Sequence, residues 1–423
     1  MTSQLLILGN GFDLHCGLKS SYKDFFRQEI LDTTTENFDI IQLKPGVTGF
    51  WENLLLEYHK KYGDVDYKWC DIETIIKDTL WFINFGKISV SKDVINSMWK
   101  IAIYCSESIV DFDDVIHKLY VPTTKFIFTY CVNFFVDLAK RKRECSDQEK
   151  LHLLTERLLV ELHYFEERFC KYIRNNIMNP NNEKGINEEY IVNSLNLIAK
   201  LTKFSEWKSF EKDDIVSKEE KQICRQTSSI QRVYEWQTVN VPSKEITKLR
   251  NVHILSFNYT ALFDILGVES PCLYSNVHGK LCNEQCREFC NSSSIIFGVD
   301  DSLIQAQTEN DDLKLFSKTY RKMFNLNSPA SVLPLNDAPV DIKFYGHSLS
   351  KADYSYFQSI FDYYNLYSNN SVKLYFYYSE NYNPTDAVYR MINSYGQSLT
   401  NKDQGKNLMH KLLLENRINI VKI

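Results

Sequence analysis

The chain has 423 residues, 44% of them hydrophobic and 24% charged, with 49 basic against 54 acidic side chains and a net charge of −5. That balance belongs to a folded chain too long for one ordinary core, and it excludes disordered and collagenous classes and a broad basic face for duplex nucleic acid. Only 14 glycines occur, well below typical usage of about 7%, and between residues 87 and 266 Gly185 stands alone.

The N-terminus, Met1-Thr2-Ser3-Gln4, lacks the basic start and long apolar core of a signal peptide. The most apolar later stretch, 126–139, is too short for a bilayer and contains Asn133 and Asp137. The expectation is a cytoplasmic protein with no membrane partner. Leu5-Leu6-Ile7-Leu8 predicts a buried parallel strand that delivers the turn Gly9-Asn10-Gly11-Phe12-Asp13. A helix follows near Ser21, where Ser21-x-x-Asp24 resembles a capping box and Tyr22, Phe25 and Phe26 supply an apolar face.

From about 70 to 245 the pattern turns helical. Leu151, Leu154, Leu158, Leu162, Phe165, Phe169 and Tyr172 recur at intervals of three and four, which places them on one face of a long helix. Scarce glycine agrees, since it costs about 1 kcal/mol inside a helix. From residue 251 short strand-like runs return at 252–257, 273–277, 294–297, 342–345, 372–378 and 418–423. They alternate with helical patterns such as Phe357, Ile360, Phe361 and Tyr364, so the expected fold is α/β, a doubly wound and mainly parallel sheet. The expected division is an α/β nucleotide-binding domain formed by 1–69 and 246–423, with 70–245 as a helical insertion.

Ligands of doubly wound folds bind beyond the carboxyl ends of the strands. Gly9, Gly11, Gly279, Gly298 and Gly346 all fall on that edge, where backbone N–H groups can approach a phosphate or ribose, or where each glycine simply ends a strand. Gly9-x-Gly11 is not a G-x-G-x-x-G, because position 14 is leucine, and this disfavours a dehydrogenase. Asp13 would repel a pyrophosphate but suits a ribose hydroxyl or a helix cap. Asn258 follows one predicted strand and His278 the next: an amide that can hold a sugar hydroxyl or a water, and an imidazole that can take its proton. Gly346-His347-Ser348-Leu349 ahead of Asp353 makes a third polar turn, with Ser350-x-x-Asp353 as a helix cap in the alternative reading. Trp69-Cys70-Asp71-Ile72-Glu73 reads as a helix start, and Lys318 and Arg321 either clamp a phosphate or decorate a helix.

Eleven scattered cysteines read as reduced thiols. His278, Cys282, Cys286 and Cys290 recur every four residues, a poor fit to paired zinc ligands, and no metal is expected. No H-E-x-x-H, P-loop or G-x-S-x-G occurs.

Together, the 6–14 block, Gly17-Leu18, Ser21-Tyr22-x-Asp24-Phe25, Trp69-x-Asp71-Ile72-Glu73, Ser256-Phe257-Asn258-Tyr259-Thr260, Val277-His278-Gly279 and Tyr345-Gly346-His347-Ser348-Leu349 with Asp353 resemble the bacteriophage abortive-infection AbiH family. More distantly, the order of these turns is similar to sirtuin-like, NAD-binding domains of bacterial defence proteins, several of which hydrolyse NAD. That resemblance implies a sirtuin/Rossmann-like domain with NAD as substrate or ligand. It implies Asn258 orienting the nicotinamide ribose or a water, His278 as base, and Gly9, Gly11, Gly346 and Ser348 around the phosphates and adenosine ribose. Asn10, Phe12, Asp13, Gly279, His347 and Asp353 complete the candidate binding set. Asn10 and Phe12-Asp13 depart from the sirtuin-like turn, which favours alanine and a small hydroxyl residue. The expected activity is cleavage of the nicotinamide N-glycosidic bond to deplete NAD in infected cells. A non-catalytic nucleotide-binding sensor and a nuclease-type toxin are the alternatives. A phage-derived trigger and homo-oligomerisation stay open.

Overall fold

A computed structural model describes residues 2–31, 49–62, 72–83, 122–141, 145–177, 187–202, 209, 216–217, 239–240, 252–265, 273–281, 295–301, 311–323, 332–336, 339–350, 353–379 and 382–423. The strands are β1 (Ser3–Leu8), β2 (Val216–Ser217), β3 (Val239–Asn240), β4 (Val252–Ser256), β5 (Leu273–Asn276), β6 (Val340–Tyr345), β7 (Val372–Tyr378) and β8 (Ile418–Lys422). The helices are α1 (Gly11–His15), α2 (Tyr22–Phe25), α3 (Phe50–Tyr62), α4 (Ile72–Ile83), α5 (Pro122–Arg141), α6 (Asp147–Ile177), α7 (Glu188–Thr202), α8 (Leu262–Ile265), α9 (Lys318–Met323), α10 (Tyr354–Tyr363), α11 (Thr385–Ser398) and α12 (Lys402–Leu414). Two compact units result: Met1–Ser21 with Ile173–Ile295 and Asn327–Ile423, and Tyr22–Tyr172 with Ile296–Leu326.

The first unit holds a six-stranded sheet in the order β5-β4-β1-β6-β7-β8, with every neighbouring pair parallel. This is the doubly wound α/β fold expected. β1 is central because Leu5, Leu6, Ile7 and Leu8 are buried on both faces. Phe357, Ile360, Phe361, Val388, Met391, Tyr395, Leu408 and Leu412, from α10, α11 and α12, share one core with Leu5, Ile7, Phe344, Leu374 and Phe376. α7 is tied to β6 through Lys343, whose ammonium donates to the Leu201 carbonyl at 3.0 Å and to the Gln4 side chain at 2.6 Å. After β1 the chain visits β4 and β5 on one side and then returns to β6 on the other. The reversal that marks a ligand crevice in such sheets therefore lies between β1 and β6.

In the second unit, Leu154, Leu158, Leu162, Phe165, Phe169 and Tyr172 form the buried stripe of α6, as their spacing predicts. The run at 294–297 does not become a strand. Among the described residues of that run, Phe297 gives its N–H to the Glu166 carboxylate at 2.6 Å and its carbonyl to Arg321 at 2.8 Å. Side chains take the groups a strand neighbour would have used, and just beyond the run Val299 bridges to Ser317. Arg321 also meets both carboxylate oxygens of Glu166 at 2.7 Å, and Lys318 pairs with Glu73.

Candidate functional site

The turn after β1 and the turn after β6 touch backbone to backbone. Gly9 N–H donates to the Tyr345 carbonyl at 2.9 Å, Gly11 N–H to the Gly346 carbonyl at 2.8 Å, and Phe12 N–H to the Gly9 carbonyl at 2.8 Å. A Cβ on Gly9 would stand 2.5 Å from the His347 Cα, and one on Gly346, whose φ is +69°, would stand 2.3 Å from the Phe12 nitrogen. Glycine is required here so that two turns can close on each other. Asn10 turns aside to accept from the Ser20 hydroxyl at 2.6 Å, and Phe12 is buried. Gly279, with a φ of +82°, shapes the turn after β5.

Beyond these turns a cavity of about 260 Å³ opens at the tips of β6 and β7, lined by Gly11, His347, Ser348, Tyr345, Tyr377 and Tyr382 among others. Burial pushes the Tyr345 and Tyr377 phenols up to about 12, so both stay protonated. Tyr345 bonds Ser379, and the buried Tyr377 hydroxyl has no hydrogen-bond partner among the described residues. Leu349 in the same wall holds a φ of +54°, a left-handed conformation uncommon outside glycine. That volume lies just below the usual range for small-molecule sites.

A second polar group lies at the ends of β4 and β5. Asp13, 1% exposed, accepts from the Tyr190 hydroxyl of α7 at 2.8 Å and the Thr260 hydroxyl at 2.8 Å. It also takes a side-chain hydrogen bond from Asn258. Burial raises its pKa to about 6, and the three donors offset that only in part. The main chain of Asn258 is held too: its N–H donates to the Ser256 hydroxyl at 3.2 Å, and its carbonyl accepts from the Asn276 amide at 2.7 Å. Asn276 reaches the Thr260 carbonyl as well, at 3.0 Å. The polar atom of Asn258 left over is Oδ1, which is buried and has no partner among the described residues.

His278 and His347 meet on Asp353. The His278 Nε2 lies 2.8 Å from Asp353 Oδ1, and the His347 Nε2 lies 3.4 Å from Oδ2. His347 Nδ1 accepts the Leu349 N–H at 2.9 Å, so Nε2 carries the proton that faces the carboxylate. Asp353 stands at the N-cap position of α10 yet makes no side-chain cap bond. Its carboxylate serves the histidines instead. Phe257 fixes the rings edge-on, at 5.5 Å from His278 and 4.6 Å from His347. With Nε2–H donated to Asp353, the lone pair of His278 is on Nδ1, the arrangement in which a carboxylate supports a histidine base.

The predicted site residues thus fall into three places. Gly9, Gly11 and Gly346 join two turns, while His347 and Ser348 line the cavity; Asp13 and Asn258 share one network; His278 and Asp353 form a pair. Sequence reasoning missed Tyr190, which reaches Asp13 from a helix 177 positions away, and the tyrosines at the tip of β7. Asp71, Cys282, Cys286 and Cys290 lie outside the described residues. Among the described residues no helix is long and apolar enough to cross a membrane.

The family model for bacteriophage abortive infection AbiH matches residues 5–378. The chain belongs to the AbiH family. The match spans the whole set of turns just described, from the β1 turn to the last residue of β7. Membership supports an antiphage, abortive-infection role for this AbiH chain. No curated protein and no solved structure matches it significantly.

Proposed function

We propose that this AbiH chain binds NAD at the carboxyl edge of its sheet and hydrolyses the nicotinamide N-glycosidic bond, depleting NAD in infected cells. The observation that carries the reading is the buried Oδ1 of Asn258, which has no partner among the described residues while the other polar groups of Asn258 are all occupied. A buried acceptor left unused costs about 1–3 kcal/mol, and a ribose hydroxyl or a water would supply the donor. The bond between the ribose C1′ and the nicotinamide nitrogen breaks, and nicotinamide leaves with the electron pair. Water adds its oxygen to C1′ and gives a proton to His278, and Asp353 stabilises the resulting imidazolium. The cavity beside Ser348 takes one nucleoside half of the substrate.

Incubating the purified chain with NAD, with and without lysate of phage-infected cells, and quantifying nicotinamide tests this directly. Release that disappears in Asn258→Ala and His278→Ala is the expected result. NAD binding by calorimetry with no nicotinamide under either condition sinks the hydrolase. It leaves the second reading, a non-catalytic nucleotide-binding module, which the 4% exposure of His278 favours.

A further inference from the structure

We infer that Asp13 is a positioning residue: it fixes which way the Asn258 amide faces, so that Nδ2 is held by the protein and Oδ1 is left for a ligand donor. The inference rests on the reading of Asn258 as the group that meets a ribose hydroxyl or the attacking water. Three donors converge on the Asp13 carboxylate. Tyr190 and Thr260 are hydroxyls and can reverse a hydrogen bond by rotating one proton, but an amide has a donor end and an acceptor end that exchange only by flipping the group. An ionised carboxylate accepts and never donates, so next to Asn258 it selects one of the two orientations. The main chain leaves no slack, because Ser256 and Asn276 pin the N–H and the carbonyl of the same residue. Oδ1 remains, buried and without a partner among the described residues.

The selection depends on Asp13 being ionised. Tyr190 on α7 and Cys16 following α1 are the titratable groups in its charge field, and burial drives both far upward, so they stay neutral when Asp13 titrates near 6. A protonated Asp13 carries a donor of its own and no longer demands the NH₂ end of Asn258.

Nuclear magnetic resonance of the full chain, labelled with nitrogen-15 only at asparagine, reads this orientation. Asn258→Ala identifies the side-chain signal. In the wild type that signal should move with pH about a midpoint near 6. It should stop titrating in Asp13→Asn and keep titrating in Tyr190→Phe. Asp13→Asn offers one acceptor end and one donor end where the carboxylate offers two acceptors, so it no longer enforces one orientation of Asn258, and nicotinamide release should fall in kcat, with KM for NAD little changed. An Asn258 signal that is the same in wild type and Asp13→Asn at pH 7.5 overturns the inference. So does an Asp13→Asn enzyme with full kcat beside an inactive Asn258→Ala. If no variant and no wild type releases nicotinamide while the amide still titrates with Asp13, the hydrolase reading fails and the orientation role of Asp13 stands.

Discussion

Two neighbouring parts of the same sheet edge handle their backbone and side chains in opposite ways. Between β1 and β6, glycines bring two turns into contact, and the N–H groups that could have met a phosphate are given to carbonyls of the facing turn. At the ends of β4 and β5, side chains do the joining, and the network closes on every polar group of Asn258 but one. A glycine-rich turn on the ligand edge of a doubly wound sheet is therefore no guarantee of an open anion cradle, and the acceptor that lacks a donor sits one strand away.

The largest effect belongs to the closed side. Gly346→Ala puts a methyl 2.3 Å from the Phe12 nitrogen at a left-handed φ. It should cost about 3–5 kcal/mol, read as a melting temperature lower by about 10 °C. A variant that melts with the wild type would mean the two turns are looser than they stand here. On the open side, His278→Ala should fold and lose about 10²–10⁴ in nicotinamide release, equal to about 3–5 kcal/mol of barrier; retained activity would remove the base from the scheme.

The pH dependence separates the two sides further. Folding raises the Asp13 pKa from 3.8 to about 6, so the folded state holds this proton more tightly than the unfolded chain does. Its contribution to stability is then fully present below pH 4 and is lost as pH rises through 6, a loss of about 3 kcal/mol by neutral pH. Urea titrations of wild type and Asp13→Asn between pH 4.5 and 7.5 should diverge in that direction, and parallel curves would mean that Asp13 titrates normally. The smallest effect expected is Tyr190→Phe, which removes one of three donors to Asp13 and should cost about 1 kcal/mol in the same titrations.

Much of the fold was legible. β1 announces itself as an apolar run because both its faces are buried, and β4 to β8 show as short strand-like runs in which apolar and aromatic residues mix with polar ones. The run at 294–297 carries the same signal but is claimed by Glu166 and Arg321, and no local pattern can reveal such distant partners. Asn258 and His278 were recognisable from their place after strands. The partners around them were not: Asp13 is 247 residues from Thr260 and 177 from Tyr190, and periodicity identifies the buried face of a helix without naming the hydroxyl on it that reaches across. Asp353 looked like a helix cap by spacing, yet the cap bond is missing because two imidazoles compete for the carboxylate.

The order of strands in the sheet also carries a consequence in time. β1 is synthesised ahead of both its neighbours in the sheet, β4, where Gln4 faces Val252, and β6, where Ser3 faces Val340. Until synthesis has passed residue 345 the centre of the sheet has an unpaired flank, and the glycine turns have nothing to close on. Pairings this far apart in sequence form late and slowly. A chain that stops before residue 345 has no assembled edge, so translation itself sets the earliest moment at which the two turns can meet.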